Sequence, residues 1–369
     1  MKFIAGIITA VILLAMLVPA FSGCSDGRES INVFNWGEYI DLDVIKIFEE
    51  ETGIRVNYTT YATNEELYSK LKNSGANYDV IIPSDYMIAR LIQENMLEKI
   101  NFGNIPNFSY IMEQYQNLNY DPANEYSVPY TWGTVVLIYN TKYVTEPVES
   151  WNIMWDEKYQ GRIIMFDNSR DAFGIALKKL GYSINSVDMK ELEHAADELR
   201  KQREFVQGYF MDEIFNKMGS EEAWIAPYYA GDALTMIDDN SNLNAVYPIE
   251  GTNIFVDSIC IPKNALNKNG AEKFINFLIR PDIAAMNSEY IGYSTPNWGA
   301  YELLSEELQE SEITYPDYET LANTEMAIRV KAVVSVIMTK KILVNTLFMS
   351  ALLMIVISNQ MMQVIAQHA

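Results

Sequence analysis

The sequence predicts an α/β fold with two discontinuous α/β lobes that are joined by hinge strands. Short apolar runs alternate with amphipathic segments along residues 31–96, and two long β-rich runs occur at residues 128–140 and 253–262. A second strand–helix series lies between these two runs. Alternating strands and helices favour a parallel sheet with helices packed on both sides. The two β-rich runs bracket an inserted block, so we interpret them as the hinge strands.

The first elements carry recognisable end signals. INVFNW is typical of a strand, and DVIKIFEEETG predicts an amphipathic helix with Gly53 as its C-terminal cap. IRVNYTTYA is the next predicted strand, and NEELYSKLKNSG predicts a helix with Asn64 as N-cap and Gly75 at its end. YDVIIPS is apolar enough for a strand buried on both faces, and YMIARLIQENM predicts the following helix.

The predicted division of the chain follows from the two hinge strands. Residues 31–135 and 259–305 are assigned to lobe 1, and residues 136–258 and 306–328 to lobe 2. AEKFINFLIRPDIAAM predicts a helix that is interrupted at Pro281. In open α/β sheets, ligands bind beyond the carboxyl ends of strands. FNWGEYI, IIPSDY, IIMFDNSRD and FVDS place polar or aromatic residues at such ends.

The N-terminus has the features of an export signal. Residues 1–23 combine one lysine, a long apolar stretch and small residues, as a secretory signal peptide does. The segment FSGC resembles a lipobox, in which Cys24 becomes the lipidated first residue, although Phe21 is unusual at its position. An ordinary signal peptide with an incidental cysteine is the alternative. Residues 24–30 would then be a lipidated cysteine and tether that hold the protein on the membrane surface.

The composition excludes several classes of function. Besides Cys24 there is only Cys260, in an apolar run, so we expect no disulfide framework. The two histidines, His194 and His368, exclude a multi-histidine zinc site and disfavour histidine-dependent catalytic triads. The formal net charge of −22 repels nucleic acid and attracts cations, although acidity also serves solubility alone. We therefore expect no metal, no cofactor and no nucleic-acid partner.

The C-terminal segment differs from the rest in composition. No acidic residue follows Met326, and residues 342–367 carry no charge and are rich in methionine and leucine. Residues 329–369 are therefore set apart as an atypical apolar tail. A membrane anchor, a buried helix and a translated frameshift or sequencing error are the alternatives. The most apolar part, residues 342–357, is short for a membrane span, and the abrupt change in composition favours a frameshift or sequencing error.

The residues at the predicted strand ends share one chemistry. They are aromatic rings, carboxylates and one serine, and Arg170 is the only basic residue among them. Ammonium groups form charge-assisted hydrogen bonds with carboxylates, and ring faces cover methylene spacers. A desolvated ring face also attracts a cation by roughly 0.5–2 kcal/mol. Anionic ligands would require basic residues or a glycine-rich phosphate loop. The set therefore predicts a site for an elongated organic cation.

Seven segments in collinear order resemble the spermidine/putrescine-binding lipoproteins of polyamine ABC importers. They are FNWGEYI, YDVIIPSDYMI, YSVPYTWGT, SWNIMWDEKYQGRI, FVDSICIP, INFLIRPD and IGYSTPN. The resemblance implies a two-lobed type II periplasmic-binding-protein fold, whose cleft closes on a polyamine and delivers it to a membrane-embedded ABC permease. It further implies a non-catalytic monomer on the outer face of the cytoplasmic membrane.

The resemblance also implies site residues, position by position. Those that match the family directly are Trp36, Tyr39, Ser84, Tyr86, Asp257 and Tyr293. Asn168 and Asp171 fall on the family's D-x-x-E element, so one acid is an amide and the other is one carbon shorter. Tyr229 and Phe255 fall where the family has tryptophan. A polar family residue falls at Ala327, so we expect that contact to be missing.

Several alternatives stay open at this point. One carboxylate fewer favours a polyamine with two or three amines and does not rank putrescine against spermidine. Glu38 and Asp85 are further candidate contacts, and Glu38 also fits a charge at the rim of the cleft. Asp257 is hard to explain structurally because a buried carboxylate without a partner is costly. Asp167 fits a helix N-cap as well as a contact.

Other functions are compatible with parts of the pattern. The same fold with another small cation or an amino acid as its ligand is the alternative, but iron would want histidines, and Arg170 is the only candidate for an amino-acid carboxylate. A glycosidase that uses Asp167 and Asp171 is disfavoured, because such enzymes place two carboxylates on opposite sides of the substrate.

An intact mass of the mature protein tests the assignments at both chain ends. We expect residues 1–23 to be absent and Cys24 to carry acyl chains, so that the mass exceeds that of residues 24–369 alone. A Cys24→Ser variant is the control, and its mass should show no acyl chains. A wild-type mass that retains residues 1–23 would contradict the lipoprotein assignment.

Overall fold

The fold comes from a computed structural model that describes residues 28–73, 75 and 77–326. The predicted signal peptide (1–23), Cys24 and the atypical tail (329–369) lie outside the described residues, so those assignments stay predictions. Within the described residues, helices and strands alternate as the sequence predicts, and the α/β class is confirmed. No helix of this part of the chain combines the length and the apolar composition that a membrane crossing requires.

The N-terminal part of the chain contains three short strand–helix units. They are β1 (Ser30–Trp36), α1 (Leu42–Thr52), β2 (Arg55–Tyr61), α2 (Asn64–Asn73), β3 (Val80–Ile81) and α3 (Asp85–Gln93). Gly53 ends α1 with φ 72°, and its N–H donates to the Glu49 carbonyl, as a left-handed C-terminal cap does.

The start of α2 differs from the prediction. Thr63, not Asn64, caps the helix: its hydroxyl accepts from the Glu66 N–H at 3.1 Å, and the Glu66 carboxylate accepts from the Ala62 N–H. Asn64 lies inside the helix, and its side-chain oxygen accepts from the Ser84 N–H at 3.3 Å. Asn64 therefore supports the loop that ends β3 instead of capping a helix.

The middle of the chain forms a second strand–helix series. Its elements are β4 (Ser127–Asn140), β5 (Ile163–Phe166), α4 (Ser169–Lys179), α5 (Met189–Gln202), β6 (Val206–Phe210), α6 (Glu213–Gly219), β7 (Ile225–Tyr229), α7 (Ala230–Asp239) and β8 (Leu243–Val246).

The rest of the described chain returns to the first series. Its elements are β9 (Asn253–Cys260), α8 (Lys268–Leu278), α9 (Pro281–Ile291), α10 (Trp298–Tyr301), α11 (Glu306–Gln309), α12 (Tyr318–Ala322) and β10 (Glu325–Met326). Pro281 occupies the first turn of α9, so the predicted interruption separates α8 from α9. Lys178 of α4 forms an ion pair with Glu325 at 2.5 Å, which ties β10 to the second series.

The strand order is β2-β1-β3-β9-β4-β7-β5-β6, with β8 beside β4 and β10 beside β9. β1 is parallel to β2 and β3, and β5 is parallel to β6 and β7. The sheet is not parallel throughout, because β4 runs antiparallel to β9, β7 and β8. Residues 127–134 of β4 pair with β9, whereas residues 135–140 pair with β7 and β8. β4 therefore crosses from one half of the sheet to the other.

Two large hydrophobic cores flank this crossing. The buried residues of the first core come from residues 31–132 and 255–293, and those of the second core from residues 135–243. Phe255 and Val256 belong to the first core, although the predicted division assigns them to lobe 2. They do so because β9 pairs with the first half of β4. The predicted lobe boundaries themselves stay a prediction.

Truncation of a ring in the first core should lower stability far more than truncation at the surface. Phe48 of α1 is fully buried, and its ring lies 4.9 Å from that of Phe274 and 5.3 Å from that of Phe277. We expect Phe48→Ala to lower the free energy of unfolding in urea by about 3–5 kcal/mol. Leu42→Ala in the same helix is the control, because Leu42 is 56% exposed and should change it by less than about 0.5 kcal/mol. Similar losses for both variants would contradict this packing.

Candidate functional site

A cavity that is partly open to solvent lies between the two cores where several strands end, and the space it encloses, together with the solvent at its mouth, is about 740 Å³. Eleven of the twelve predicted site residues line it, namely Trp36, Tyr39, Ser84, Asp85, Tyr86, Asn168, Asp171, Tyr229, Phe255, Asp257 and Tyr293. The sequence therefore predicted which side chains meet here, although their contact with a ligand stays a prediction.

The turn after β1 determines which of the next residues face the cavity. Glu38 has a positive φ of 45°, a conformation that is uncommon for residues other than glycine. The chain reverses there, so Tyr39 is buried while Glu38 is exposed and does not line the cavity. Trp36 packs at 4.7 Å on the ring of Tyr61, and its indole N–H donates to the Ile82 carbonyl at 2.8 Å.

Asp257 of β9 occupies the floor of the cavity and is 4% exposed. Its Oδ2 accepts from the Tyr39 hydroxyl at 2.7 Å, so the carboxylate does have a structural partner, contrary to the expectation from sequence. Its Oδ1 accepts no hydrogen bond from the described residues. Burial raises the pKa of Asp257 to about 6, and the side chains of Tyr39 and Ser84, which favour its charged form, oppose that rise.

The first turn of α3 presents a second carboxylate. Ser84 precedes the helix and makes no side-chain capping bond, and a β-bridge joins it to Asp257. Asp85 is 1% exposed: its Oδ1 accepts from the Tyr86 N–H at 2.5 Å, but its Oδ2 accepts from none of the described residues. Burial raises the pKa of Asp85 to about 7, against the attraction of the Arg170 guanidinium.

The first turn of α4 holds the third carboxylate. Asn168 is the N-cap, since its side chain accepts from the Arg170 N–H at 3.1 Å, so the N-cap expected at Asp167 is wrong by one residue. Asp171 accepts from the Tyr229 hydroxyl at 2.9 Å and from the Asn253 amide at 3.0 Å. Burial raises the pKa of Asp171 to about 6, and these two bonds and Arg170 oppose the rise.

The structure adds lining residues that were not among the predicted contacts to a cation. They are Gly37, Tyr61, Ala62, Arg170, Met211, Asp212, Tyr228, Asp232 and Asn253. Asp232, in the first turn of α7, accepts from the Tyr293 hydroxyl at 2.9 Å, and burial raises the pKa of Asp232 to about 7. Asp212 and Asp232 follow β6 and β7, so the strand-end argument was available for both. Burial raises the pKa of Asp212 and of Asp232, and the negative charge of Glu38 raises both further. This fits a position of Glu38 at the rim of the cavity.

The aromatic wall depends on two close approaches to glycine. The ring of Tyr293 lies 4.8 Å from that of Tyr39 and 6.4 Å from that of Phe255. A Cβ atom at Gly231 would lie 2.3 Å from the Tyr293 ring, and one at Gly133 would lie 2.8 Å from Phe255. These glycines therefore leave the space that the rings fill.

The cavity is suited to a cation that donates several hydrogen bonds. Its lining carries one guanidinium, that of Arg170, against five carboxylates, those of Asp85, Asp171, Asp212, Asp232 and Asp257. Three buried acceptor oxygens of the lining receive no hydrogen bond from the described residues, namely Oδ2 of Asp85, Oδ1 of Asn253 and Oδ1 of Asp257. Among the described residues no cluster of histidine, cysteine or acidic side chains is arranged to hold a metal ion.

Comparison with known proteins links this geometry to a protein family. Residues 43–316 match the family described as bacterial extracellular solute-binding protein. The chain is 39% identical over 304 residues to the spermidine/putrescine-binding periplasmic protein of Escherichia coli, covering 82% of this chain and 87% of that protein.

Solved structures of similar proteins share the fold. The spermidine/putrescine ABC transporter substrate-binding protein of Streptococcus pneumoniae is 39% identical, with a TM-score of 0.72 over 81% of this chain and 93% of that one. The TpPotD lipoprotein of Treponema pallidum is 27% identical, with a TM-score of 0.76 over 84% and 98%. The predicted type II periplasmic-binding-protein fold is thereby confirmed.

The buried carboxylates predict how stability depends on pH. Asp257 has a pKa of about 6 in the folded protein and about 3.9 in the unfolded chain, so folding favours its protonated form. The free energy of unfolding should therefore fall as pH rises from about 4 to 6 and level off above, by about 3 kcal/mol for this group.

Urea unfolding of the ligand-free protein between pH 4 and 8 measures this effect. We expect Asp257→Asn to match the wild type near pH 4 and to be more stable than it at pH 8. Asp238→Asn, at an exposed aspartate, is the control and should follow the wild-type curve. Parallel curves for the wild type and Asp257→Asn would contradict the raised pKa of Asp257.

Proposed function

The chain belongs to the family of bacterial extracellular solute-binding proteins, and on that basis we propose that it captures a polyamine, putrescine or spermidine, for an ABC permease. One observation carries the proposal. Buried carboxylates that follow β3 and β5 and one that lies within β9 converge on one cavity with aromatic walls, and two of them keep an oxygen that no described residue satisfies. Ammonium groups supply both the charge and the hydrogen bonds that such oxygens need.

In the proposed complex, Asp257 binds an ammonium group through Oδ1 while Tyr39 holds its other oxygen. Asp171 binds a second ammonium group, and its bonds from Tyr229 and Asn253 fix the direction of the carboxylate. Both oxygens of Asp171 retain a lone pair, because a carboxylate offers about four acceptor positions. The protonated fraction of these aspartates would fall on binding, since a nearby cation lowers a carboxylate pKa.

The rings supply the remaining binding energy. Tyr39, Tyr229, Phe255 and Tyr293 form a chain of edge-on contacts, and Trp36 lies at the opening of the cavity. Such faces cover methylene groups and attract ammonium groups. Closure of the two halves around the ligand would proceed about β4 and β9, the strands that connect them.

The charge of the cavity disfavours the amino-acid alternative. The carboxylate of an amino acid would face five aspartates, and the one guanidinium of the lining, Arg170, lies next to Asp85 and Asp171. A ligand carboxylate held close to these aspartates would be repelled strongly in a partly desolvated site. We therefore keep other small organic cations as the second candidate ligands.

The family is extracytoplasmic, and its members serve transport and not catalysis. We propose that this chain is a monomer that is exported and held on the outer face of the cytoplasmic membrane by acyl chains on Cys24. There it would present its polyamine to the membrane-embedded ABC permease.

Isothermal titration of the full-length protein with putrescine and with spermidine tests the proposed ligand. We expect binding of at least one polyamine, and we expect Asp257→Ala to weaken it by about 2–5 kcal/mol, because Asp257 pairs with an ammonium group in a buried site. Asp238→Ala is the matched control and should bind as the wild type does. No heat with either polyamine, from a folded sample, would rule out the proposed function.

A further inference from the structure

Asn253, the first residue of β9, lines the cavity beside Asp171 and is fixed there through its backbone. Its backbone pairs with that of Glu325 in β10. Glu325 forms an ion pair with Lys178 of α4 at 2.5 Å, and the first turn of the same helix carries Asp171. The backbone of Asn253 is therefore tied to the helix that presents Asp171.

The hydrogen bonds around Asp171 determine which atom of the Asn253 amide is left over. An ionised carboxylate only accepts hydrogen bonds. The Asn253 side chain therefore turns its NH2 group to Oδ1 of Asp171, at a distance of 3.0 Å. The other oxygen of Asp171 accepts from the Tyr229 hydroxyl at 2.9 Å. Oδ1 of Asn253 remains as a buried acceptor to which none of the described residues donates.

A second, smaller cavity shares Arg170, Asp171 and Asn253 with the first cavity. Its other lining residues are mostly apolar, namely Val135, Trp151, Gly174, Ile175 and Ile184. The two that remain, Lys178 and Thr252, donate to Glu325 and to the Val135 carbonyl. A buried acceptor that stays unsatisfied is costly, so we expect a molecule bound in the first cavity to supply the missing donor.

We propose that Asn253 is a ligand-binding residue, which forms with Asp171 a subsite for a terminal primary ammonium group. The inference rests on the proposed function and adds Asn253 to its ligand contacts. A primary ammonium group has three N–H donors. Asp171 accepts at least one of them through a charge-assisted bond, and Oδ1 of Asn253 accepts another. The amide oxygen adds this bond without placing a further negative charge beside Asp171.

The subsite distinguishes amines by the number of their N–H donors. A tertiary ammonium group has a single N–H, which goes to Asp171 because a bond to a carboxylate is stronger than one to an amide. Oδ1 of Asn253 then stays unsatisfied in the complex. A site built to bond a ligand N–H rejects an analogue that lacks it, because the buried polar group of the site is left unpaired.

Affinities of the full-length protein at pH 8 test the inference, because Asp171, with a pKa of about 6, is ionised there. The ligands are putrescine and N,N,N′,N′-tetramethylputrescine. Asn253→Ala should weaken binding of putrescine at least tenfold and binding of the tetramethyl derivative less than threefold. Asn244→Ala is the control and should change neither affinity, because Asn244 is an exposed asparagine of β8 outside the cavity.

A double-mutant cycle separates direct contact from an effect through Asp171, to which Asn253 also donates. In the Asp171→Ala background, Asn253→Ala should weaken putrescine binding at least a further threefold, because the amide oxygen still accepts from the ligand. A residue that acts only by holding the Asp171 carboxylate would have no further effect once that carboxylate is gone.

A crystal structure of the wild-type complex with putrescine needs no variant, so it decides even if Asn253→Ala does not fold or the tetramethyl derivative does not bind. We expect a ligand nitrogen about 2.7–3.2 Å from Oδ1 of Asn253. A water molecule in that place, equal losses for both ligands in Asn253→Ala, or no further loss in the Asp171→Ala background would overturn the inference and leave the proposed function intact. A folded wild-type protein that binds neither putrescine nor spermidine would instead overturn the proposed function.

Discussion

The antiparallel pairing of β4 with β9 is the constraint on which the cavity depends. In this register Thr131 lies opposite Asp257, and Gly133 lies opposite Phe255. The first pair brings the Tyr39 hydroxyl to Asp257, because Tyr39 contacts the Thr131 hydroxyl and the Asp257 carboxylate at 2.6 and 2.7 Å. The second pair provides the space for the Phe255 ring. A shift by one residue would turn both side chains of β9 to the opposite face of the sheet.

The cavity tolerates its buried acids through a repeated arrangement. Three tyrosine hydroxyls each donate to one aspartate: Tyr39 to Asp257, Tyr229 to Asp171 and Tyr293 to Asp232. Each bond satisfies one oxygen without adding a positive charge, so the carboxylates still attract cations. Burial still raises the pKa of each acid, because it disfavours the charged form in the absence of a cation. The tyrosine bonds oppose this rise only in part.

Much of the site was predictable because strand ends are a local property of the sequence. The alternation of strands and helices placed Ser84 and Asn168 at the ends of strands, and the fold brings the carboxyl ends of such strands together. Asp257 was also expected at a strand end, but it lies within β9 and reaches the cavity through the pairing of β9 with β4. Asp212, Asp232 and Asn253 were missed, although the first two also follow strands. Their positions in the cavity depend on how the second core packs beside β4, which short-range patterns do not contain.

The errors in the predicted elements have physical reasons as well. Asn64 and Asp167 are both good N-cap residues, but the neighbouring Thr63 and Asn168 cap the two helices. The side chain of Asn64 instead accepts from the Ser84 N–H, in a loop that is distant in sequence. The antiparallel crossing of β4 and β9 is likewise a long-range pairing. The prediction of an inserted block rested on the length and apolar character of the two crossing strands.

The contact between Gly231 and the Tyr293 ring has a consequence for how this protein tolerates change. Even the methyl group of alanine at position 231 would overlap the ring, so the ring would have to leave the wall and abandon Asp232. A residue that has no side chain and does not itself line the cavity is therefore among the least replaceable of those that shape it. A redesign of this cavity therefore has freedom at the carboxylates but has to keep this glycine.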